Sequence, residues 1–351
     1  MEIKKLLLMA AGAIALTACS NDGDTNGLNS STNPVELRLS SSLDDQTRAY
    51  TATQGTKIAN GQTVYVWADE DKASPTEYLK AWTLTSDGND GWQAGYTPKY
   101  YPASGNALNI YALHGNFTAP TEDNTSFQTS LTHAVLADQS AANAYEQSDL
   151  LFAKKTSCAR QAAAHQLVFK HQLSKIEVYL YPGTGVAVAD LNNATVSLLN
   201  TRLKADVTLN KANAADAQTI ALYAGTDIDT ENPKTAITMR QAAYSATETL
   251  SFQKYGATSA TTQNVPIFAE AIIVPQFVNT TGATGGAAVQ FIKVKLDSGG
   301  ELYASVNKQF VKGTKYTYYV EVGLNALTIS STITDWTAGD SDAIQAGMPT
   351  S

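Results

Sequence analysis

An all-β chain folded as two β-sandwich domains in tandem is the fold class this sequence predicts, on three observations. From Val35 onward apolar residues recur at every second position, the period of a strand with one buried face. Composition agrees: 17 Tyr accompany abundant Thr, Ser and Val, and Gly, Asn and Asp gather between the alternating runs. Long runs of 3.6-residue period, which a parallel α/β sheet would need for its crossovers, are missing.

Size and charge bound the function. The 351 residues are 43% hydrophobic and 16% charged, too apolar for a disordered chain and too poor in charge for a long solvated helix. The net charge of −8 comes without any Lys/Arg cluster, which argues against nucleic acid as a partner. Two cysteines cannot staple a disulfide scaffold, so stability must come from core burial.

The chain opens on an address. Lys4 and Lys5 precede the apolar run Leu6–Leu16, which is too short to span a bilayer, and Leu16-Thr17-Ala18-Cys19 closes it with small residues before a thiol. This resembles a bacterial lipobox, in which residues 1–18 are removed as a signal peptide and Cys19 is acylated. An ordinary secretory signal with a chance cysteine is the alternative. Residues 19–33, rich in Gly, Asn, Ser and Asp, read as a flexible tether. Asp22 and Asp24 resemble the acidic export signal of surface lipoproteins in Bacteroidetes, a pattern that a polar linker also gives by chance.

The strands follow in order. Val35, Leu37 and Leu39 alternate with polar residues, and Thr63–Trp67 is β-branched and aromatic. Ala81–Thr85 and Trp92–Tyr96 flank Ser86-Asp87-Gly88-Asn89-Asp90-Gly91, a hairpin loop that lacks the acidic spacing of a calcium site. Leu108–Ala112 is a strand, Ala137–Ser148 is helical or irregular, and Leu150–Phe152 resumes the strand pattern. Leu167, Phe169, His171 and Leu173 share one parity and Ile176, Val178 and Leu180 the other, the mark of a bulge or of a bend between sheets. Later strands are read at Leu203–Leu209, Ala236–Met239, Glu270–Val274, Ile292–Leu296, Tyr316–Val322 and Leu327–Trp336. The stretch Lys154–Gln166 lacks strand periodicity, so the boundary between the sandwiches is set there: 34–160 and 161–351.

Chemistry is sparse. No phosphate loop, dinucleotide fingerprint or nucleophile elbow occurs. His114, His133, His165 and His171 are scattered without metal-ligand spacing, and His171 on an apolar face reads as a core histidine. Cys158 has no local partner that would activate it. The sequence therefore predicts no catalytic, metal or cofactor site. Asn116, Asn193 and Asn279 begin Asn-x-Thr sequons, which a bacterial leader deprives of most of their meaning.

Several motifs together resemble the fimbrillin family, the type V pilins of Bacteroidetes. Thr47-Arg48-Ala49 is similar to the family's processing site. Tyr100-Tyr101-Pro102 followed by Leu108–Ala112, Ser148-Asp149-Leu150-Leu151-Phe152-Ala153, and Phe169-x-His171-x-Leu173-Ser174-Lys175 resemble its strand motifs. Val274-Pro275-Gln276, Gly313-x-x-Tyr316 and Ile333-Thr334-Asp335-Trp336 complete the family order. The resemblance implies two transthyretin-like sandwiches, a lipoprotein precursor in the outer membrane, and a trypsin-like, arginine-specific protease that cuts between Arg48 and Ala49. It implies other pilin subunits as partners, each completing a neighbour's sheet with a strand in a cell-surface fimbria with a role in adhesion. Arg48 reads equally well as a solvated loop charge. Residues Thr337–Ser351 lack apolar alternation, which favours a tip, anchor or accessory pilin over a stalk subunit. A surface lipoprotein that stacks sugars on exposed aromatics such as Trp67, Trp82, Trp92 or Trp336 is the competing reading, and a surface hydrolase with two facing carboxylates is a third.

Overall fold

The computed structural model describes residues 34–44, 57–243, 249–254, 256–265 and 267–335. The proposed signal peptide and tether, and with them Cys19, Arg48, Ala49, Trp336 and Thr337–Ser351, lie outside the described residues.

The fold is all-β. The first part of the chain supplies β1 (Leu39–Leu43), β2 (Thr63–Glu70), β3 (Glu77–Thr85), β4 (Leu108–His114), β5 (Ser130–Ala134), the short helix α1 (Ala142–Ser148), β6 (Leu151–Cys158) and β7 (His165–His171). Six of these strands form one sheet in the order β1-β7-β6-β4-β2-β3. All its neighbours are antiparallel except β1 and β7, which run parallel with Leu39 opposite His165 and Leu43 opposite Phe169. In β7 the inward residues His165, Leu167, Phe169 and His171 are buried while Gln166 and Val168 face water, the alternation that its sequence shows. Strands β2 and β4 bury residues on both faces, from Val66 to Asp69 and from Ile110 to His114.

The remainder begins with β8 (Ser174–Pro182), β9 (Thr195–Thr201), β10 (Lys204–Thr208), β11 (Thr219–Leu222) and a one-turn helix α2 (Ile228–Glu231). Next come β12 (Thr235–Thr238), β13 (Arg240–Ala243), β14 (Thr249–Phe252), β15 (Thr261–Asn264), β16 (Ile267–Ile273) and β17 (Phe277–Val278). Finally come β18 (Val289–Lys295), β19 (Glu301–Val306), β20 (Lys308–Gln309), β21 (Thr314–Val322) and β22 (Leu327–Asp335). A four-stranded sheet β12-β9-β18-β19 and a five-stranded sheet β13-β16-β8-β21-β22 share a core that includes Ile176, Val178, Leu198, Ile292 and Val320. The other face of the five-stranded sheet is divided. Tyr179, Tyr181, Phe252 and Phe268 form an aromatic cluster, and beside it Lys175 lies fully buried, 2.9 Å from Glu270 and 3.1 Å from Glu177. Burial opposes the Lys175 charge, yet the two carboxylates outweigh it and raise the ammonium's pKa.

Three sequence expectations change. Strands β6 and β7 belong to the same sheet, so the expected 160/161 boundary falls inside it, and sheet membership changes only at Gln172–Leu173. Alternation fades over Lys154–Gln166 because the ladder between β4 and β6 shifts register and Ser157 adopts a left-handed φ of 52° before Cys158 returns to the core. The parity change after His171 is the bend between sheets. Secondly, β5 pairs with β10, joined by β11, so one small sheet draws on strands from both sides of that boundary. Thirdly, the second arm of the hairpin at Trp92 reduces to one bridge, Ser86 to Trp92.

Candidate functional site

The segment 34–44 is the part of the described chain whose seat is made almost entirely by other elements. It is apolar at Val35, Leu37, Leu39 and Leu43 and polar between. Leu37 and Leu39 are 1% and 6% exposed in a core cluster with Val64, Trp82, Ile110, Leu167 and Phe169. On one side its backbone joins β7: beyond the β1 ladder, the His165 amide donates to Arg38 O and the Asp44 amide to Phe169 O. On the other side the loop 90–101 acts as a strap. The Leu37 amide donates to Lys99 O at 2.7 Å, the Tyr101 amide to Val35 O at 3.0 Å and the Ser41 amide to Asp90 O at 2.8 Å. The Trp92 indole donates to Leu39 O at 2.9 Å. Lys170 pairs with Asp44 at the downstream end, and the Tyr101 hydroxyl lies 2.6 Å from His165 Nε2 at the upstream end.

Removal of this segment would unpair β7 and the strap together and open the apolar positions of Leu37 and Leu39. A sheet edge of that kind restores its hydrogen bonds by taking another strand, with side-chain pockets setting which strand fits. One residue weakens the resident. Ser41 is fully buried and its hydroxyl has no hydrogen-bond partner. An unpaired buried hydroxyl costs about 1–3 kcal/mol, so an apolar side chain at that place would hold better.

Asp44 is the last described residue of the segment and Lys57 the first after it, so Arg48 and Ala49 lie between, outside the described residues, as Cys19 lies before them. Arg38, the preceding basic residue, has its backbone tied into the sheet. His171 is buried as expected, and its acidic companion, invisible to local pattern, is Asp149 just after α1, with Nδ1 to Oδ2 at 2.7 Å. Cys158 is buried, its thiol donates to Lys155 O, and burial pushes its pKa up to about 11, so it is poorly reactive. Trp67 and Trp82 are core residues and Trp92 is half-buried in the strap. No group of three or more His, Cys, Asp or Glu fit to hold a metal occurs among the described residues, and no helix among them is long and apolar enough to cross a membrane. An open groove between β11 and the β17–β20 ladder is lined by Gln218, Ile220, Gln276, Phe277 and Lys312 and holds no tryptophan or tyrosine. Sequence reasoning read Trp92–Tyr96 as a hairpin arm and missed the strap, because its bonds to 34–44 join stretches far apart in the chain; the signal was the aromatic content of 90–101, with Trp92, Tyr96, Tyr100 and Tyr101.

A sequence profile described as fimbrillin-like matches residues 47–336. Across the whole length, the chain is 23% identical over 348 residues to a provisionally named fimbrium subunit, Fim1C, of Bacteroides uniformis, covering 97% of each. Among solved structures, a protein of Bacteroides uniformis provisionally described as a cell adhesion protein superposes with a TM-score of 0.53 at 18% identity, covering 87% of this chain and 99% of that one. A protein of Bacteroides ovatus with the same description gives 0.54 at 15% identity, covering 88% and 99%. These two likenesses concern the fold.

Proposed function

The chain belongs to the fimbrillin-like family, whose members are structural proteins rather than enzymes, and from that premise we propose that it is a surface fimbrial subunit whose segment 34–44 is a removable occupant of a strand-accepting seat. The observation that carries the proposal is the seat itself: a terminal segment held at a sheet edge, burying Leu37 and Leu39 in a cluster built by β2, β3, β4, β6 and β7. A cut between Arg48 and Ala49 by an arginine-specific protease detaches it. The Asp44-Asp45-Gln46-Thr47 and Ala49-Tyr50-Thr51 flanks are polar and small, as such a protease requires. A strand from a neighbouring pilin then completes the sheet.

In this reading Cys19 carries the lipid that holds the precursor in the outer membrane before the cut, and the assembled fimbria serves adhesion. The role we assign is that of a tip, anchor or accessory subunit, which accepts a neighbour's strand in the seat beside β7. The described tryptophans, two buried and one half-buried, do not supply the exposed platform that the glycan-stacking alternative needs, and the exposed aromatics among the described residues are Tyr100 and Tyr303. Limited proteolysis with N-terminal sequencing tests the first step: a new terminus at Ala49 is expected. A chain that resists cleavage there while it is cut elsewhere contradicts it.

A further inference from the structure

Among the described residues, strand β22 closes the five-stranded sheet, with β21 as its one neighbour in that sheet. It is nine residues long and pairs with β21 at every position from Thr314–Asp335 to Val322–Leu327 without a register shift. Other sheet edges in the molecule are blunted. Strand β1 lies under the strap, and β3 carries Lys80, two register shifts and a left-handed Ala81. Among the described residues, the edges at β5, β11, β12 and β13 are five residues or fewer, and β19 is six residues long, carries Glu301 and meets β18 across a register shift. By contrast β22, Leu-Thr-Ile-Ser-Ser-Thr-Ile-Thr-Asp, has no proline, no lysine or arginine, no bulge and one charged residue, at its last position. A long, regular edge with little charge is a template for a further strand.

Its sequence states which strand. Read outward from Ser331, three pairs of residues match, Ser330 with Thr332, Ile329 with Ile333 and Thr328 with Thr334, and the outermost pair, Leu327 with Asp335, does not. In an antiparallel pair centred on Ser331 these partners stand directly opposite each other. Ile329, in the sandwich core, and Ile333, packed against it, share one face, and Thr328, Ser330 and Thr332 share the other. Ile–Ile and Thr–Thr pairs are favourable cross-strand neighbours, and no like charges meet. We infer that β22 is a self-complementary edge that joins β22 of a second copy of this chain, antiparallel about a twofold axis at Ser331, to give a continuous ten-stranded sheet. This surface is separate from the seat of residues 34–44, and it needs neither cleavage nor a pilin partner.

The test uses residues 20–351, which lack the lipidation cysteine, in sedimentation equilibrium. The wild type is expected to show a concentration-dependent monomer–dimer equilibrium. In the proposed pairing the two copies of Thr332 are diagonal neighbours. Thr332→Lys and Thr332→Glu are each expected to weaken the dimer by at least about tenfold, and an equimolar mixture to restore it as a heterodimer. Circular dichroism checks that both variants fold. Ser331→Cys gives a second readout: two copies facing each other across the axis have Cα atoms within disulfide reach, so mild oxidation is expected to yield a covalent dimer. A wild type that is monomeric at all concentrations overturns the inference, as do charge variants that dimerise like the wild type or a Ser331→Cys chain that does not cross-link. Dimerisation seen only after deletion of residues 336–351 also overturns it, because the chain's own C-terminal residues would then occupy the edge.

Discussion

At the scale of single residues, buried charge sets the sharpest expectations. Lys175 neutralises Glu270 and Glu177 where water does not reach. Lys175→Met would leave Glu270 facing Arg240 and Glu177 facing Lys315, each at 3.9 Å, in place of the nearer buried ammonium, and is expected to destabilise the fold by about 3–5 kcal/mol in urea denaturation. His171→Ala, which leaves Asp149 without its imidazole, is expected to cost about 2–4 kcal/mol and to change no ligand binding. Glu146 sets a pH dependence. Burial, with the Asp149 charge beside it, pushes its carboxyl up to about 7. In an unfolded chain a glutamate titrates near about 4.3. The contribution of the neutral acid is therefore complete below that value and is lost as pH rises through about 7. Glu146→Gln is expected to match the wild type at pH 4 and to exceed it by about 2–3 kcal/mol at pH 8. Equal differences at both pH values would contradict this. His133 acts in the opposite sense: burial pushes it down to about 4, so its contribution is full above about 6.5 and is lost as pH falls through about 4.

At the scale of elements, the segment 34–44 is the one whose stability should be adjustable without disturbing the rest. Ser41→Ala removes an unpaired buried hydroxyl and is expected to hold the segment more tightly by about 1 kcal/mol. After cleavage, its release should be slower than in the wild type, read as the rate at which the amides of β7 become exchangeable. Leu39→Ala acts the other way, at a cost of about 2–4 kcal/mol, and should speed release. How legible these elements were follows from what each one buries. Strand β7 was plain because one face is wet and the other dry. The edge position of β1 was not, since a parallel pairing between residues far apart in sequence leaves no local trace. Short strands such as β11, β12 and β17 were missed or blurred because two to four residues cannot display a period. The His171–Asp149 pair was hidden because the two residues meet only after α1 and β7 pack. The Thr47-Arg48-Ala49 motif was visible from the first reading, yet its meaning rests on the occupant upstream of it.

At the scale of the whole molecule, one continuous core runs from Trp67 and Tyr111 on the back of the first sheet to Val178, Ile292 and Val320 between the other two. The sheet β11-β10-β5 ties the two halves of the chain together. Loss of residues 34–44 touches the other cluster, that of Leu37, Val64 and Phe169, so the remainder should stay folded with a single seat open. Cys19→Ala is expected to abolish fatty-acid labelling and membrane retention without changing the melting temperature of the mature chain. The central claim is that the seat beside β7 changes occupant. Electron cryo-microscopy of assembled fimbriae containing this chain addresses it directly. The account predicts a strand from another subunit beside His165–His171, with apolar side chains in the places of Leu37 and Leu39 and no trace of residues 34–44. Assembled subunits that still hold Leu39–Leu43 against β7 would contradict it.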